Sequence, residues 1–529
     1  MRTYASPALR LALAAILLMA LIPLPSRIDA LGFGRFARVP LELPLIVLIL
    51  CCVPPRAEAG VRLVLVAALG ALTVLRLADI GMGLAFQRRF DPVLDLHLLA
   101  SGWELASGTV GRWATAMGAG AAILTLTAVM AGLFWALGGA ARIGRRWRIR
   151  LGAASAGVLT LGLGGQVMAP GGSPGGVLVP EVADRVARVR TMLGDETRFA
   201  ADLRREDLDG PPDFAALAGR DVIFLFVESY GRSWLERPPF RETGRARLRA
   251  AEETLSEAGF SARSGWMRAP TRGGQSWLAH GAAMSGLWTS SQPRYEALIA
   301  SDRVSLNRLF ARAGWRTAAI MPAITRAWPE AEWFGYDAIH DSDGLGYAGE
   351  PFDWVTMPDQ YTLSAMDRLV RGAGPVMVEA ALISSHAPWT PIPEIVPWDR
   401  IGDGAIFDGN RRAGGTPREV WSEPDSIRAA YSRSLDYALE VVALWIARSA
   451  GDALVVVLGD HQPAPLVTGP EASAAVPVHV IARDAALPAR LRGRWSDGLL
   501  PATDLPERSM TEIRALFAAC YSTGGCDAD

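Results

Sequence analysis

Hydrophobic positions along this chain fall into two regimes. Up to about residue 170 they form long unbroken runs, near 8–25, 41–55, 60–82, 116–138 and 150–169, set apart by short polar or arginine-bearing segments. Several of these runs approach the roughly 20 residues that cross a bilayer. A soluble core can hide one such helix, but this many close together predict a membrane domain of about five helices over residues 1–170. "PGGSPGGV" at 170–177 then breaks the chain, and a charged helical stretch at about 179–204 leads to "GPPDF", so 171–214 reads as a linker. From 215 to 529 the pattern changes to short apolar runs of strand length alternating with segments of helical period. "DVIFLFVES" (221–229), "WRTAAIMPA" (315–323), "PVMVEAALISS" (375–385), "DALVVVLGD" (452–460) and "VPVHVIARD" (476–484) read as buried strands. Helical patterns such as "SLNRLFARAG" and "SRSLDYALEVVALWIARSAG" lie between them. The alternation predicts an α/β domain whose mostly parallel sheet is sandwiched by helices.

Charge orients the first domain. Arg2 and Arg10 precede the first run, Arg56 and Arg62 flank the second gap, and Arg142, Arg145, Arg146, Arg148 and Arg150 crowd the fourth. If five spans alternate, all three clusters fall on one side, which the positive-inside tendency makes cytoplasmic. The chain after residue 170 is then extracytoplasmic, and it stays so if the first run is a cleaved signal peptide. Composition agrees with a membrane-embedded protein: half the residues are hydrophobic and mean hydropathy is +0.20. The 53 basic residues are all arginine and the net charge is −1, which gives no basic stripe for nucleic acid. Cys51 and Cys52 sit inside an apolar run as small hydrophobes, whereas Cys520 and Cys526 flank a Gly-rich turn in the exported part, where a disulfide persists.

Chemistry collects at the strand ends. The first strand closes on Glu228, the third on His386 and the fourth on Asp460-His461, while Arg326 and Trp328 follow the second. Any one of these is ordinary turn chemistry. In open α/β sheets, however, ligands bind outside the carboxyl ends of the strands, where these side chains converge. Glu228, Asp460 and His461 offer mixed oxygen and nitrogen ligands suited to Mn²⁺, Mg²⁺ or Zn²⁺. In "APTRGGQSWLAHGAAMSGL" (269–287), two glycines precede a helix that starts near Ser276. An isolated serine there is usually an N-cap, but the same place suits a nucleophile, because helix amides stabilise a phosphate attached to it. His479, within an apolar strand, reads as a packed core residue, and His340 as a solvated loop residue.

Through "VIFLFVESYG", "GGQSWLAHGAAMSGL", "LNRLFARAGWRTAAIMPA", "FGYD", "ISSHAPW" and "VVVLGDHQP", residues 215–485 resemble the alkaline phosphatase/sulfatase superfamily. Within it the chain is most similar to membrane-anchored lipoteichoic acid synthases and phosphoglycerol transferases. The resemblance implies an alkaline phosphatase-like fold for 215–529 and a multi-pass protein of the cytoplasmic (inner) membrane with its catalytic domain on the periplasmic or extracytoplasmic side. It implies one divalent metal ion, Mn²⁺ before Mg²⁺ or Zn²⁺, on Glu228, Ser276, Asp460 and His461. Ser276 is then also the nucleophile, His386 contacts the transferred phosphoryl group, and Arg326 and Trp328 lie near the substrate. The implied reaction moves a phosphoglycerol-like head group from a membrane phospholipid, through a covalent serine intermediate, to a glycan or other hydroxyl acceptor. A phosphodiesterase or phosphatase on the same site is the enzymatic rival, distinguished by whether water is the acceptor. A silent membrane protein binding a glycan or partner is the other, but each metal-ligand position keeps a competent side chain. The chain departs from the family in carrying serine where threonine is usual, His280 where an acid often follows four residues on, and no Trp-x-Arg motif. The formylglycine motif of true sulfatases is absent.

Overall fold

A computed structural model of the chain describes residues 6–525 other than 37–38, 87, 93–94, 97, 169–175, 206–207, 209 and 411–413. Most of the 170–177 glycine-proline segment therefore lies outside the described residues, as does Cys526. The chain divides into two compact units, one of residues 1–83, 88–103 and 111–195, the other of 84–87, 104–110 and 196–529.

The first unit is helical. Two of its described helices, Pro55–Phe86 and Arg112–Arg142, are long and apolar enough to cross a membrane; Pro7–Leu21 and Glu42–Cys52 are apolar but shorter. The helix Arg145–Met168 opens on arginines, which lowers its apolar character. Charge is nevertheless buried here. Arg76 and Asp79, on one face of the helix Pro55–Phe86, pair with Glu181 (2.5 Å) and Arg185 (2.7 Å) of the charged helix Leu178–Leu203. Arg76 also donates to the carbonyls of Leu21 and Ile22. The Glu42 carboxylate accepts the backbone N–H groups of Val177 and Leu178 at the start of that charged helix, satisfying donors that a helix leaves open. Removing one partner of such a pair costs about 3–5 kcal/mol, because it strands a buried charge.

The second unit is built on a nine-stranded sheet. Its strands are β1 (Val222–Val227), β2 (Ser261–Arg268), β3 (Arg316–Ile320), β4 (Ala338–His340), β5 (Val376–Leu382), β6 (Leu454–Gly459), β7 (Ala475–Ala482), β8 (Ser496–Asp497) and β9 (Arg508–Ser509). The spatial order is β4-β3-β5-β1-β6-β7-β2-β8, with β9 beside β2. From β4 to β6 every pairing is parallel. Beyond β6 the sheet turns antiparallel, through β7 and β2 to β8. The sheet is thus mixed, with the parallel half that the sequence predicts and an antiparallel flank whose strand β2 the pattern does not announce. "SARSGWMR" interleaves serine, arginine and glycine, so only its last half reads as apolar.

The central strand β1 is buried throughout, as a parallel strand covered on both faces must be. Its alternate residues feed two cores. Ile223, Leu225 and Val227 join one with the helices Arg241–Glu257, Asp359–Val370 and Pro424–Ser449. Val222, Phe224 and Phe226 join the other with Ser276–Ser285, Leu306–Arg312 and Glu512–Cys520. Each such side chain contributes about 1.5–3 kcal/mol on burial, which fixes the strand's register and hence where its carboxyl end stops. His340, expected in a solvated loop, ends β4 instead and is half-buried. Cys520 is disulfide-bonded, and Cys51 and Cys52 are free.

Candidate active site

The carboxyl ends of β1 and β6 lie side by side, with Val227 paired to Gly459, so the next residues, Glu228 and Asp460, emerge together. Gly459 permits this approach: a Cβ there would stand 2.0 Å from the Tyr230 carbonyl oxygen. The two strand ends are then tied. Asp460 Oδ1 accepts the backbone N–H groups of Ser229 (2.8 Å) and His461 (2.6 Å), leaving Oδ2 for the site. Ser229 takes a left-handed conformation (φ 57°) to make this turn. The His461 ring is fixed in the same way. Its Nδ1–H donates to the Gln462 carbonyl (2.9 Å), so Nε2 presents its lone pair toward Glu228 Oε1 (3.3 Å) and Asp460 Oδ2 (3.6 Å).

Ser276 comes from a different element. Gln275, also left-handed (φ 63°), turns the chain so that Ser276 is the first residue of the helix Ser276–Ser285. Its hydroxyl lies 3.2 Å from Glu228 Oε2 and 3.3 Å from His461 Nε2. The four side chains expected to share a metal are thus within reach of one another, and ligand atoms of Glu228, Asp460 and His461 lie within 4.8 Å of each other.

The donor set fits a divalent cation. Both carboxylates are buried. Burial and the Glu228 charge push the Asp460 carboxyl up to about 7. Glu228 is buried too, but facing His461 and His386 it is held down at about 2. His461 is pulled down by burial, yet Asp460 and Glu228 outweigh this and raise it. The two carboxylates repel each other unless a positive charge sits between them, and with the His461 nitrogen they form a mixed oxygen and nitrogen set that suits a Mn²⁺-like ion.

A cavity of about 280 Å³ opens beside this cluster, lined by Glu228, Ser276, Asp460 and His386 at one end. His386 follows β5; its Nδ1–H donates to the Ala387 carbonyl (2.6 Å) and its ring stacks on Trp354 at 4.2 Å, which leaves Nε2 the free edge. Trp328 lines the same cavity and packs against Phe334 and Tyr336. Arg326 is exposed and outside that lining.

The structure adds residues that the sequence reading passed over. Asp359, fully buried, accepts the backbone N–H groups of Ile383 (2.7 Å) and Ser384 (3.0 Å) and so holds the loop that carries His386. Ser385 completes the tie by donating to the Glu228 carbonyl (2.6 Å). Glu379, a lone acid in the apolar strand β5, is a third; an acid inside "VMVEAAL" is the available signal. His479, by contrast, is the core residue expected. Ser264 donates to the Gly498 carbonyl and so receives Nδ1–H of His479 (2.7 Å), while Tyr230 donates to Nε2 (3.0 Å).

No protein-family model matches the chain, and no curated protein matches it significantly. Among solved structures, the lipoteichoic acid synthase LtaP of Listeria monocytogenes aligns at 12% identity over 60% of this chain and 75% of that one, with a TM-score of 0.38. A Vibrio parahaemolyticus protein of the alkaline phosphatase superfamily aligns at 15% identity over 55% and 68%, with a TM-score of 0.34. The Streptococcus pyogenes phosphoglycerol transferase GacH, solved with sn-glycerol-1-phosphate, aligns at 13% identity over 55% and 74%, again at 0.34. One of these three carries the name of the superfamily that the sequence motifs resemble. At such identities and TM-scores the likeness carries no argument about chemistry.

Proposed function

We propose that the second unit is the extracytoplasmic catalytic domain of a membrane-anchored phosphotransferase that uses Ser276 as its nucleophile. The observation that supports this most is the position of the Ser276 hydroxyl, at a helix start, within 3.3 Å of both Glu228 and His461 and lining a cavity. Glu228, Asp460, His461 and Ser276 would hold one divalent ion, Mn²⁺ by preference, which when bound lowers the serine pKa and offsets charge on the phosphoryl oxygens.

The reaction then has two in-line displacements. In the first, Ser276 Oγ bonds to phosphorus of a phospholipid head group as the bond from phosphorus to the diacylglycerol oxygen breaks. His386, through Nε2, supplies the proton that the departing alkoxide takes up, and the serine proton passes to solvent. In the second, a hydroxyl of a glycan or similar acceptor bonds to phosphorus as its proton passes to Nε2 of His386, the Ser276 ester breaks, and the serine oxygen regains a proton from solvent. The helix amides at Ser276 stabilise the covalent phosphate between the steps. Trp328 forms part of the substrate wall; Arg326 would meet the parts of the substrate that extend beyond the cavity. Anchoring confines the enzyme to the plane of its donor.

Mass spectrometry of the full chain after incubation with Mn²⁺ and phosphatidylglycerol vesicles tests the reading. The Ser276 peptide should gain a glycerol phosphate and diacylglycerol should appear; Ser276→Ala should do neither. An unmodified Ser276 with diacylglycerol still released would refute the serine mechanism. For the topology, a periplasm-dependent reporter fused after residue 205 should be active and one fused near 145 inactive; the reverse would place the site on the wrong side for this donor.

A further inference from the structure

One helical turn beyond Ser276 lies His280, more than nine-tenths buried and lining the same cavity. Helical side chains four residues apart share a face and lean toward the N-terminus, so the imidazole reaches toward the nucleophile from roughly 6 Å along the axis. Its orientation is held from behind. Nδ1 lies 2.6 Å from Oε1 of the wholly buried Glu379, and the ring stacks on Phe226 at 3.9 Å. The other Glu379 oxygen accepts from Asn307 Nδ2 (2.9 Å) and the Tyr336 hydroxyl (2.6 Å). With Asn307 and Tyr336 both donating to that oxygen, Oε1 is the acceptor left for Nδ1–H of His280. Among the described residues, Nε2 has no hydrogen-bond partner.

A buried imidazole with one nitrogen fastened to a carboxylate and the other open to a cavity is a preorganised hydrogen-bonding group, and nothing in the phosphoryl chemistry above uses it. We infer that His280, positioned by Glu379, reads a hydroxyl group on the non-phosphate end of the donor head group. The walls around it, Tyr295, Phe334 and Trp328, are aromatic and suit the carbon faces of a small polyol. A hydroxyl fits this position in either state of the ring, whereas an ammonium fits only the neutral one. Glu379 also lines the cavity, but both its oxygens are taken by protein groups, His280 at one and Asn307 and Tyr336 at the other. A hydroxyl can pair with Nε2 whether that nitrogen donates or accepts, whereas an ammonium can only donate.

The inference rests on the lipid-donor reading, and the test separates the two. The full chain with Mn²⁺ is given vesicles of phosphatidylglycerol or of phosphatidylpropanol, a donor with the same carbon count and no head-group hydroxyl, and diacylglycerol release is followed. The wild-type protein should favour the glycerol donor by at least tenfold in kcat/KM, since a site built to pair a hydroxyl is left with an unpaired buried group without it. In His280→Gln or the shorter His280→Asn the ratio should fall below about threefold. Release from neither lipid would fail the lipid-donor reading itself. Equal release by the wild type would overturn the inference while leaving that reading intact, a result that needs no variant to fold. A tenfold preference surviving in either variant would overturn it as well.

Discussion

His479 makes the sharpest physical test of the catalytic unit's stability. It is 2% exposed in β7, with Nδ1–H given to Ser264 and Nε2 occupied by the Tyr230 hydroxyl, so the neutral ring is fully satisfied. Burial drives its pKa down from the ordinary 6.5 to about 3. The sign follows from linkage. Below pH 6.5 the unfolded chain binds a proton on this residue and the folded chain does not, so stability is full above 6.5 and lost as pH falls toward 3. At about 1.4 kcal/mol per unit, acidification from 6.5 to about 4.5 removes roughly 3 kcal/mol. For a unit of more than 300 residues that corresponds to a fall in Tm of roughly 4 °C. The assay is Tm against pH for the full chain in detergent, wild type beside His479→Gln. The glutamine can still donate and accept but does not titrate, so it should be less stable at pH 7 and show a shallower acid limb. Parallel curves between pH 6.5 and 4.5 would refute a buried, neutral His479.

Other perturbations act on the site. Asp460→Asn keeps an oxygen for the N–H groups of Ser229 and His461 but removes the charge, so Mn²⁺ affinity and turnover should fall together by tenfold or more; unchanged metal content after dialysis would remove Asp460 from the ligand set. Gly459→Ala drives a methyl into the Tyr230 carbonyl and should cost about 1–3 kcal/mol while weakening Mn²⁺ binding, measured by Tm and titration; a neutral result would mean the strand ends are not so tightly joined. Asp359→Ala should lower kcat by releasing the loop that carries His386, and Asp359→Asn, which keeps an acceptor for Ile383 and Ser384, should restore most of it; equal defects would argue against a positioning role. Cys520 should resist alkylation until the protein is reduced.

How much of this was legible beforehand follows from the range over which each signal acts. The strands β1, β3, β5, β6 and β7 were readable because a buried strand needs only its own run of apolar residues. Placing Glu228, His386, Asp460 and His461 on one rim needed only the rule that parallel strands end on the same edge. The start of the Ser276 helix was readable from two glycines and the small residues after them. The membrane-domain expectation rests on the same local logic, but of its five runs two form described helices of full spanning length and character.

What stayed hidden depends on partners far apart in the chain. β2 is a strand because β7 and β8 supply its hydrogen bonds, and its own polar-rich pattern gives no such instruction. Glu379 and His280 are 99 residues apart, and only the packing of the Ser276 helix against the sheet makes a buried acid and a departure from the family pattern into one oriented pair. Asp359 and the loop it holds meet in the same way, across a connection that periodicity cannot see. Sequence thus determined which residue types arrive at the rim, since that is a property of single strands and turns. Tertiary structure alone decided which nitrogen of each histidine faces the cavity and which carboxylates are fastened behind it, because those choices are made by hydrogen-bond partners that the fold, not the neighbouring sequence, brings within reach.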